Sequence, residues 1–295
     1  MIRYMKRLGC ALAFVALAVP TANAQVTVGG KNFTEQLLMA EMTSMLLEDR
    51  GFDVTTRDGM GSTVLRKAQV NGQVDVYWEY TGTSLITYNK MSPKGLTPKE
   101  TLRKVRKADK KKGLVWLQCS NANNTYALAV RKGDDKTSDI RTFSGLAAAY
   151  GEGRDLKLAA GPEFAHREDG LPGVEETYDF DVSRSNLKMM ELGLTYSALK
   201  EGQVDVGVVF ATDGRIAAFN FRTLEDDKGF FPNYALCPVV RKDTLKKHPD
   251  VKKPLEKLAS MLDDETMRSL NKKVDVDKTE VSEVAENFLK EQGLI

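Results

Sequence analysis

The chain has 295 residues, with 43 basic and 41 acidic side chains and a formal charge of +2. That near balance gives no reason to expect nucleic-acid binding, which needs a clustered basic face, and 28% charged against 42% hydrophobic residues argue against global disorder. With only two histidines and three cysteines, a His/Cys zinc cluster is not expected, and no cofactor is expected.

The chain opens on Arg3, Lys6 and Arg7, followed by an apolar run over 10–20 and then Thr21-Ala22-Asn23-Ala24. A basic start, a short apolar stretch and a small–x–small site predict a secretory leader over 1–24, cleaved near Ala24. The apolar run has 11 residues, well short of the roughly 20 that a spanning helix needs. Cleavage removes three positive charges and no acid, so the mature charge becomes −1. Cys119 and Cys237 remain, in a compartment where a disulfide can persist.

Val26-Thr27-Val28-Gly29 reads as a strand leading through a glycine turn into a helix start at Lys31-Asn32-Phe33-Thr34-Glu35. Asn32 and Glu35 have the spacing of a capping box. Leu38, Met42, Met45 and Leu46 form one apolar helical face that Gly51 stops, and a strand is predicted over 52–56. Gly59-Met60-Gly61-Ser62-Thr63 lacks the Gly-Lys-Ser/Thr end of a phosphate loop and is read as a turn before the next helix, with Ser62 or Thr63 close to a ligand. Basic residues over 103–112 are read as a solvated helix face, because only Leu102, Val105 and Ala108 are apolar.

An internal echo organises the rest. Gly72-Gln73-Val74-Asp75-Val76 recurs 130 positions later as Gly202-Gln203-Val204-Asp205-Val206, each copy following a helix-like segment and entering a strand-like run. At the same offset, Leu156-Lys157-Leu158-Ala159-Ala160 passes through Gly161 into Pro162-Glu163-Phe164, with Pro162 suited to a first helical position. Tyr126-Ala127-Leu128-Ala129-Val130-Arg131-Lys132 resembles Tyr234-Ala235-Leu236-Cys237-Pro238-Val239-Val240-Arg241-Lys242 at another spacing, read as the chain crossing between two lobes and returning. The prediction is an α/β fold with two similar lobes and largely parallel sheets: 25–122 with 236–295, and 123–235. The tail over 249–295 is expected to pack Leu255, Leu258, Leu262, Val281, Val284 and Phe288 on the first lobe.

In open α/β sheets ligands sit beyond the carboxyl ends of strands. Tyr80 and Phe210 follow the echoed strands at the 130-residue offset, and Tyr126 and Tyr234 are equivalent in the crossover echo. Four aromatics thus converge on the cleft. That arrangement suits a quaternary ammonium, which has no N–H to donate and is attracted by aromatic quadrupoles. Lys31 at a helix start, Thr83 and Arg167 could clamp a carboxylate at the other end, with His166 and Arg167 just inside the equivalent helix of lobe two.

Gly30-Lys31-Asn32-Phe33-Thr34-Glu35-Gln36, Glu79-Tyr80-Thr81-Gly82-Thr83, Asn123-Asn124-Thr125-Tyr126-Ala127-Leu128-Ala129-Val130 and Thr212-Asp213-Gly214-Arg215-Ile216 resemble substrate-binding proteins of osmoprotectant ABC importers, the glycine betaine/choline/carnitine group. Pro162-Glu163-Phe164, Arg167-Glu168-Asp169-Gly170 and Phe230-Phe231-Pro232 extend the likeness over nearly the whole mature chain. The resemblance implies a type II periplasmic-binding-protein fold, a periplasmic location, and a monomer that hands its ligand to an inner-membrane ABC permease with an ATPase partner. It implies cage positions at Tyr80, Tyr126, Phe210 and Tyr234 and carboxylate contacts at Lys31, Thr83 and Arg167, with Phe210 standing where the family commonly has tyrosine. The family leads to no expectation of cysteines at Cys119 and Cys237. Both lie near the crossovers, so a bridge between them is expected.

The leading expectation is therefore a binding protein, not an enzyme, with glycine betaine ahead of choline or carnitine because of Lys31 and Arg167. Two alternatives stay open. A two-lobed fold can host an enzyme, with Glu79 or Asp213 as acid or base, and a polyamine or basic amino acid could be the ligand of a pocket supplying several carboxylates instead of a cage.

Overall fold

A computed structural model describes residues 25–295; the expected leader lies outside the described residues. Ten strands form two five-stranded sheets. In chain order they are β1 (Gln25–Lys31), β2 (Asp53–Met60), β3 (Val76–Tyr80), β4 (Leu114–Trp116), β5 (Tyr126–Arg131), β6 (Leu158–Ala160), β7 (Leu187–Met189), β8 (Val206–Phe210), β9 (Phe221–Thr223) and β10 (Leu236–Arg241). One sheet has the order β2-β1-β3-β10-β4 and the other β7-β6-β8-β5-β9.

The echoed residues do the same work in both sheets. Helices Ser62–Val70 and Leu192–Lys200 end in Gly72 and Gly202, whose φ values of 82° and 74° lie in the left-handed region that glycine adopts at least cost. Asp75 then accepts a hydrogen bond from the Thr27 amide at 2.9 Å, and Asp205 accepts one from the Lys157 amide at 2.9 Å. Each aspartate thereby fixes where its strand enters beside the parallel neighbour. The 130-residue offset is a repeat of structure: β3 and β8 occupy corresponding places, as do β1 and β6.

The sheets are less parallel than alternation predicts. β2-β1-β3 and β7-β6-β8 are parallel, but β10 runs antiparallel to β3 and β4, and β5 runs antiparallel to β8 and β9. These antiparallel strands follow the crossovers, so each lobe receives one strand from chain arriving out of the other. Register corrects the second echo: Tyr126 opposes Phe210 in one sheet, while Leu236, not Tyr234, opposes Tyr80 in the other. Tyr234 lies two residues outside its strand.

Two local expectations also change. The first helix, Thr34–Glu48, starts after an extended Phe33 with no side-chain cap. Asn32 and Glu35 form no capping box, because Glu35 turns inward and is 2% exposed. Arg167 lies just past the end of helix Pro162–His166, not inside it, and His166 is exposed.

The tail packs as its apolar spacing predicts. Leu258, Leu262, Val284 and Phe288 join Leu38, Met42 and Trp78 in one core, Leu255 joins Val26 and Val76 in another, and Val281 is partly buried. The tail also reaches across to the loop after β8, which its sequence did not reveal: Arg268 Nε donates to the Ala211 carbonyl at 3.2 Å, and Arg215 pairs with Asp275 at 3.1 Å. In helix Pro98–Lys110 the basic side is solvated, while Asp109 is buried and accepts from Arg66, Ser84, Asn89 and Trp116.

Cys119 and Cys237 form the expected disulfide, with Cα atoms 4.1 Å apart. It closes a segment with a sequence separation of 118, for which chain entropy suggests a stabilisation of about 4–5 kcal/mol. Replacing both cysteines with serine should lower unfolding stability by about 2–5 kcal/mol in urea titration. An unchanged midpoint and slope would mean that the bridge contributes nothing to the folded state.

Candidate ligand-binding site

Tyr80, Tyr126, Phe210, Tyr234, Lys31, Thr83 and Arg167 all border one cavity of about 70 Å³ between the two sheets. Tyr80 ends β3, Phe210 ends β8, Tyr126 begins β5, and Tyr234 precedes β10. The Tyr126 ring lies 5.1 Å from Phe210 and 5.9 Å from Tyr234, at 33° and 83°. Two more rings complete the wall. Phe33 lies 4.9 Å from Phe210 and 6.2 Å from Tyr80, and Phe164 lies 5.0 Å from Tyr126. Each follows the glycines at the end of the first strand of its repeat, though Gly29 and Gly30 lie within β1 and not in the turn that the sequence predicts.

The tyrosine hydroxyls turn away to polar anchors. Tyr80 donates to Glu35 at 2.8 Å and accepts from Gln36 Nε2 at 3.1 Å. Tyr234 donates to Asp169 at 3.0 Å. Tyr126 accepts from Arg167 at 3.5 Å, and burial pushes its phenol up to about 12. Phe210 has no hydroxyl, but its amide donates to the Tyr196 hydroxyl at 2.8 Å. Gly82 makes room for Tyr234: a Cβ there would stand 2.7 Å from that ring.

The cations are not free, as the sequence left open. Lys31 donates to Glu79 at 2.6 Å, with both side chains almost wholly buried. Burial draws the lysine below its usual range, and Glu79 opposes that shift. Its ammonium also stands 4.8 Å from the Tyr80 ring centre. Arg167 meets both oxygens of Asp169, at 2.8 and 2.5 Å, and reaches Glu163 at 3.2 Å and Thr83 at 3.4 Å. The two candidate acid–base groups are also occupied. Glu79 accepts from Lys31, Tyr77 and the Tyr80 amide, and Asp213, outside this cavity, is held by Arg215.

The lobes touch around the cavity. Glu163 of the second lobe accepts from the Ser62 amide at the start of a first-lobe helix at 2.7 Å, and Thr87 donates to Asp169 at 3.2 Å. Ser62 borders the cavity as expected; Thr63 does not. A drug-sized pocket measures about 300–1,000 Å³, so the closed cleft admits only a small molecule.

Two α/β lobes closed over a small aromatic-walled cavity define a two-lobed solute-binding protein. The chain belongs to the family described as the substrate binding domain of ABC-type glycine betaine transport systems, matched over residues 24–291. It is 41% identical to a glycine-betaine-binding protein of Pseudomonas aeruginosa, covering 98% of this chain and 94% of that one. It is 35% identical to the ergothioneine transport permease/ergothioneine binding protein EgtU of Helicobacter pylori, covering 91% of this chain and 48% of that longer protein. A solved structure described as a glycine betaine/carnitine/choline ABC transporter superposes with a TM-score of 0.72 at 31% identity, over 91% of this chain and 99% of that one.

Because Glu79 is buried against Lys31, Lys31→Ala should destabilise the fold by about 3–5 kcal/mol. Lys31→Met with Glu79→Gln should recover most of that loss in the same urea titration. A single variant as stable as the wild type would mean that the ion pair carries no stability.

Proposed function

We propose that this protein captures glycine betaine between its lobes and presents it to an ABC permease. The supporting observation is the convergence of aromatic faces and cationic groups on one small cavity. Rings at Tyr80, Tyr126, Phe210 and Tyr234 would enclose the trimethylammonium end, each contact contributing about 0.5–2 kcal/mol. Together they approach the roughly −8 kcal/mol of a micromolar complex. Lys31, Thr83 and Arg167 would hold the carboxylate, with Arg167 oriented by its two bonds to Asp169.

Residues 25–122 with 236–295 would form one closing lobe and 123–235 the other. A monomer, exported after cleavage near Ala24, is the expected working form. Among the described residues no helix is long and apolar enough to cross a membrane. Family membership supports a binding role over an enzymatic one.

Ergothioneine, also a trimethylammonium zwitterion, is the second reading, favoured by the Helicobacter relative. The cavity of about 70 Å³ favours the smaller ligand.

Isothermal titration of protein unfolded and refolded to strip carried-over ligand, with glycine betaine, choline, carnitine, ergothioneine and spermidine, tests this. Micromolar glycine betaine binding is expected, and Tyr80→Ala and Tyr126→Ala should each weaken it more than about tenfold. Spermidine binding alone would overturn the cage. Lys31→Ala should raise the ratio of choline affinity to glycine betaine affinity; taking the ratio cancels general loosening, and an unchanged ratio would remove Lys31 from the carboxylate end.

A further inference from the structure

Glu35 borders a second, adjoining cavity of about 170 Å³, not the ligand cavity itself. Its carboxylate accepts four hydrogen bonds from four separate stretches of chain: Tyr80 hydroxyl at 2.8 Å, Asn124 Nδ2 at 2.9 Å, Thr212 hydroxyl at 2.6 Å and Asn271 Nδ2 at 3.3 Å. Asn271 also donates to the Thr212 carbonyl at 3.0 Å. The pattern is specific to the cage. Tyr80 is one of its rings, Asn124 stands two residues before Tyr126, and Thr212 stands two residues after Phe210.

We infer that Glu35 is the positioning residue of the cage, a latch that holds three of its four rings in their closed arrangement. The inference rests on the cage reading above. A buried carboxylate is costly unless its lone pairs are filled, and it has about four to fill. The Thr212 donor comes from the loop after β8, in the other sheet, so the set is complete only when the lobes meet. Opening would part Glu35 from Thr212 and admit water, while Tyr126 and Phe210 moved away from Tyr80. Burial pushes this carboxyl above the usual range, and the four donors act in the opposite direction.

Glu35→Gln keeps the shape but turns one acceptor oxygen into a donor facing donors. Thr212→Val, at a wholly buried position outside the ligand cavity, removes a single bond, the one from the loop after β8. Glycine betaine affinity should fall about tenfold or more in Glu35→Gln and about three- to tenfold in Thr212→Val, chiefly through faster dissociation. The double variant should bind no more than about twofold worse than Glu35→Gln, because both act on the one contact between residue 35 and Thr212.

A merely structural Glu35 would lower the urea midpoint of the ligand-free protein and leave affinity and dissociation rate unchanged; that result overturns the inference. Additive losses in the double variant overturn the latch as well. A wild type that binds none of the zwitterions tested would overturn the ligand reading instead. In that case small-angle scattering decides the latch: both variants should shift the ligand-free protein toward the open, larger radius, and an unchanged radius rejects it.

Discussion

The cavity depends on two strand pairings made where the chain changes lobe. β5 enters the second sheet antiparallel to β8 with Tyr126 opposite Phe210, and β10 returns to the first antiparallel to β3 with Leu236 opposite Tyr80. Directly opposed residues on antiparallel neighbours hold their Cβ atoms about 4.5–5.5 Å apart, which is why the Tyr126 and Phe210 rings stand 5.1 Å apart. β3 and β8 are matching strands of a repeat, and both end at the cleft. One pairing rule applied twice therefore delivers aromatic residues from both lobes to one point.

The charges around that point obey a second constraint. A buried ion without a partner is strongly destabilising, and each cation in the cavity wall has one: Lys31 has Glu79, and Arg167 has Asp169. Glu163, in turn, sits on the first amide of a helix, where negative charge is favoured. The wall is thus polar at one end without a surplus of positive charge. Glu163 and Glu191 border the cavity beside Lys31 and Arg167, so the wall presents carboxylates and cations together with the aromatic faces.

Much of this was legible in the sequence because repetition makes local rules visible. Gly72 and Gly202, with Asp75 and Asp205 three residues on, act within their own turns, so their spacing reports the structure directly. The tail was legible for the same reason: Leu255, Leu258 and Leu262 follow helical spacing. What was hidden is what depends on long-range register. Tyr126 and Tyr234 look equivalent in sequence, yet it is Leu236 that stands opposite Tyr80 as Tyr126 stands opposite Phe210, and no local signal distinguishes the two alignments. Glu35 was misread because a capping box and a buried acceptor look alike from spacing alone; the donors that recruit it lie 45 to 236 positions away. The free appearance of Lys31 was an error of the same kind, since its partner Glu79 lies 48 positions on.

The disulfide acquires its meaning from the same geometry. Cys237 lies within β10, and Cys119 lies between β4 and the first crossover, so the bridge joins the outgoing chain to the returning one on the first-lobe side. Beyond it the two crossovers touch again: Asn123 bridges Ala235, and its side chain accepts from the Tyr234 amide at 2.7 Å. These ties lie next to Asn124, Tyr126 and Tyr234. Two of the four rings, Tyr126 and Tyr234, thus stand at the crossovers, while Tyr80 and Phe210 are carried by the neighbouring strands β3 and β8.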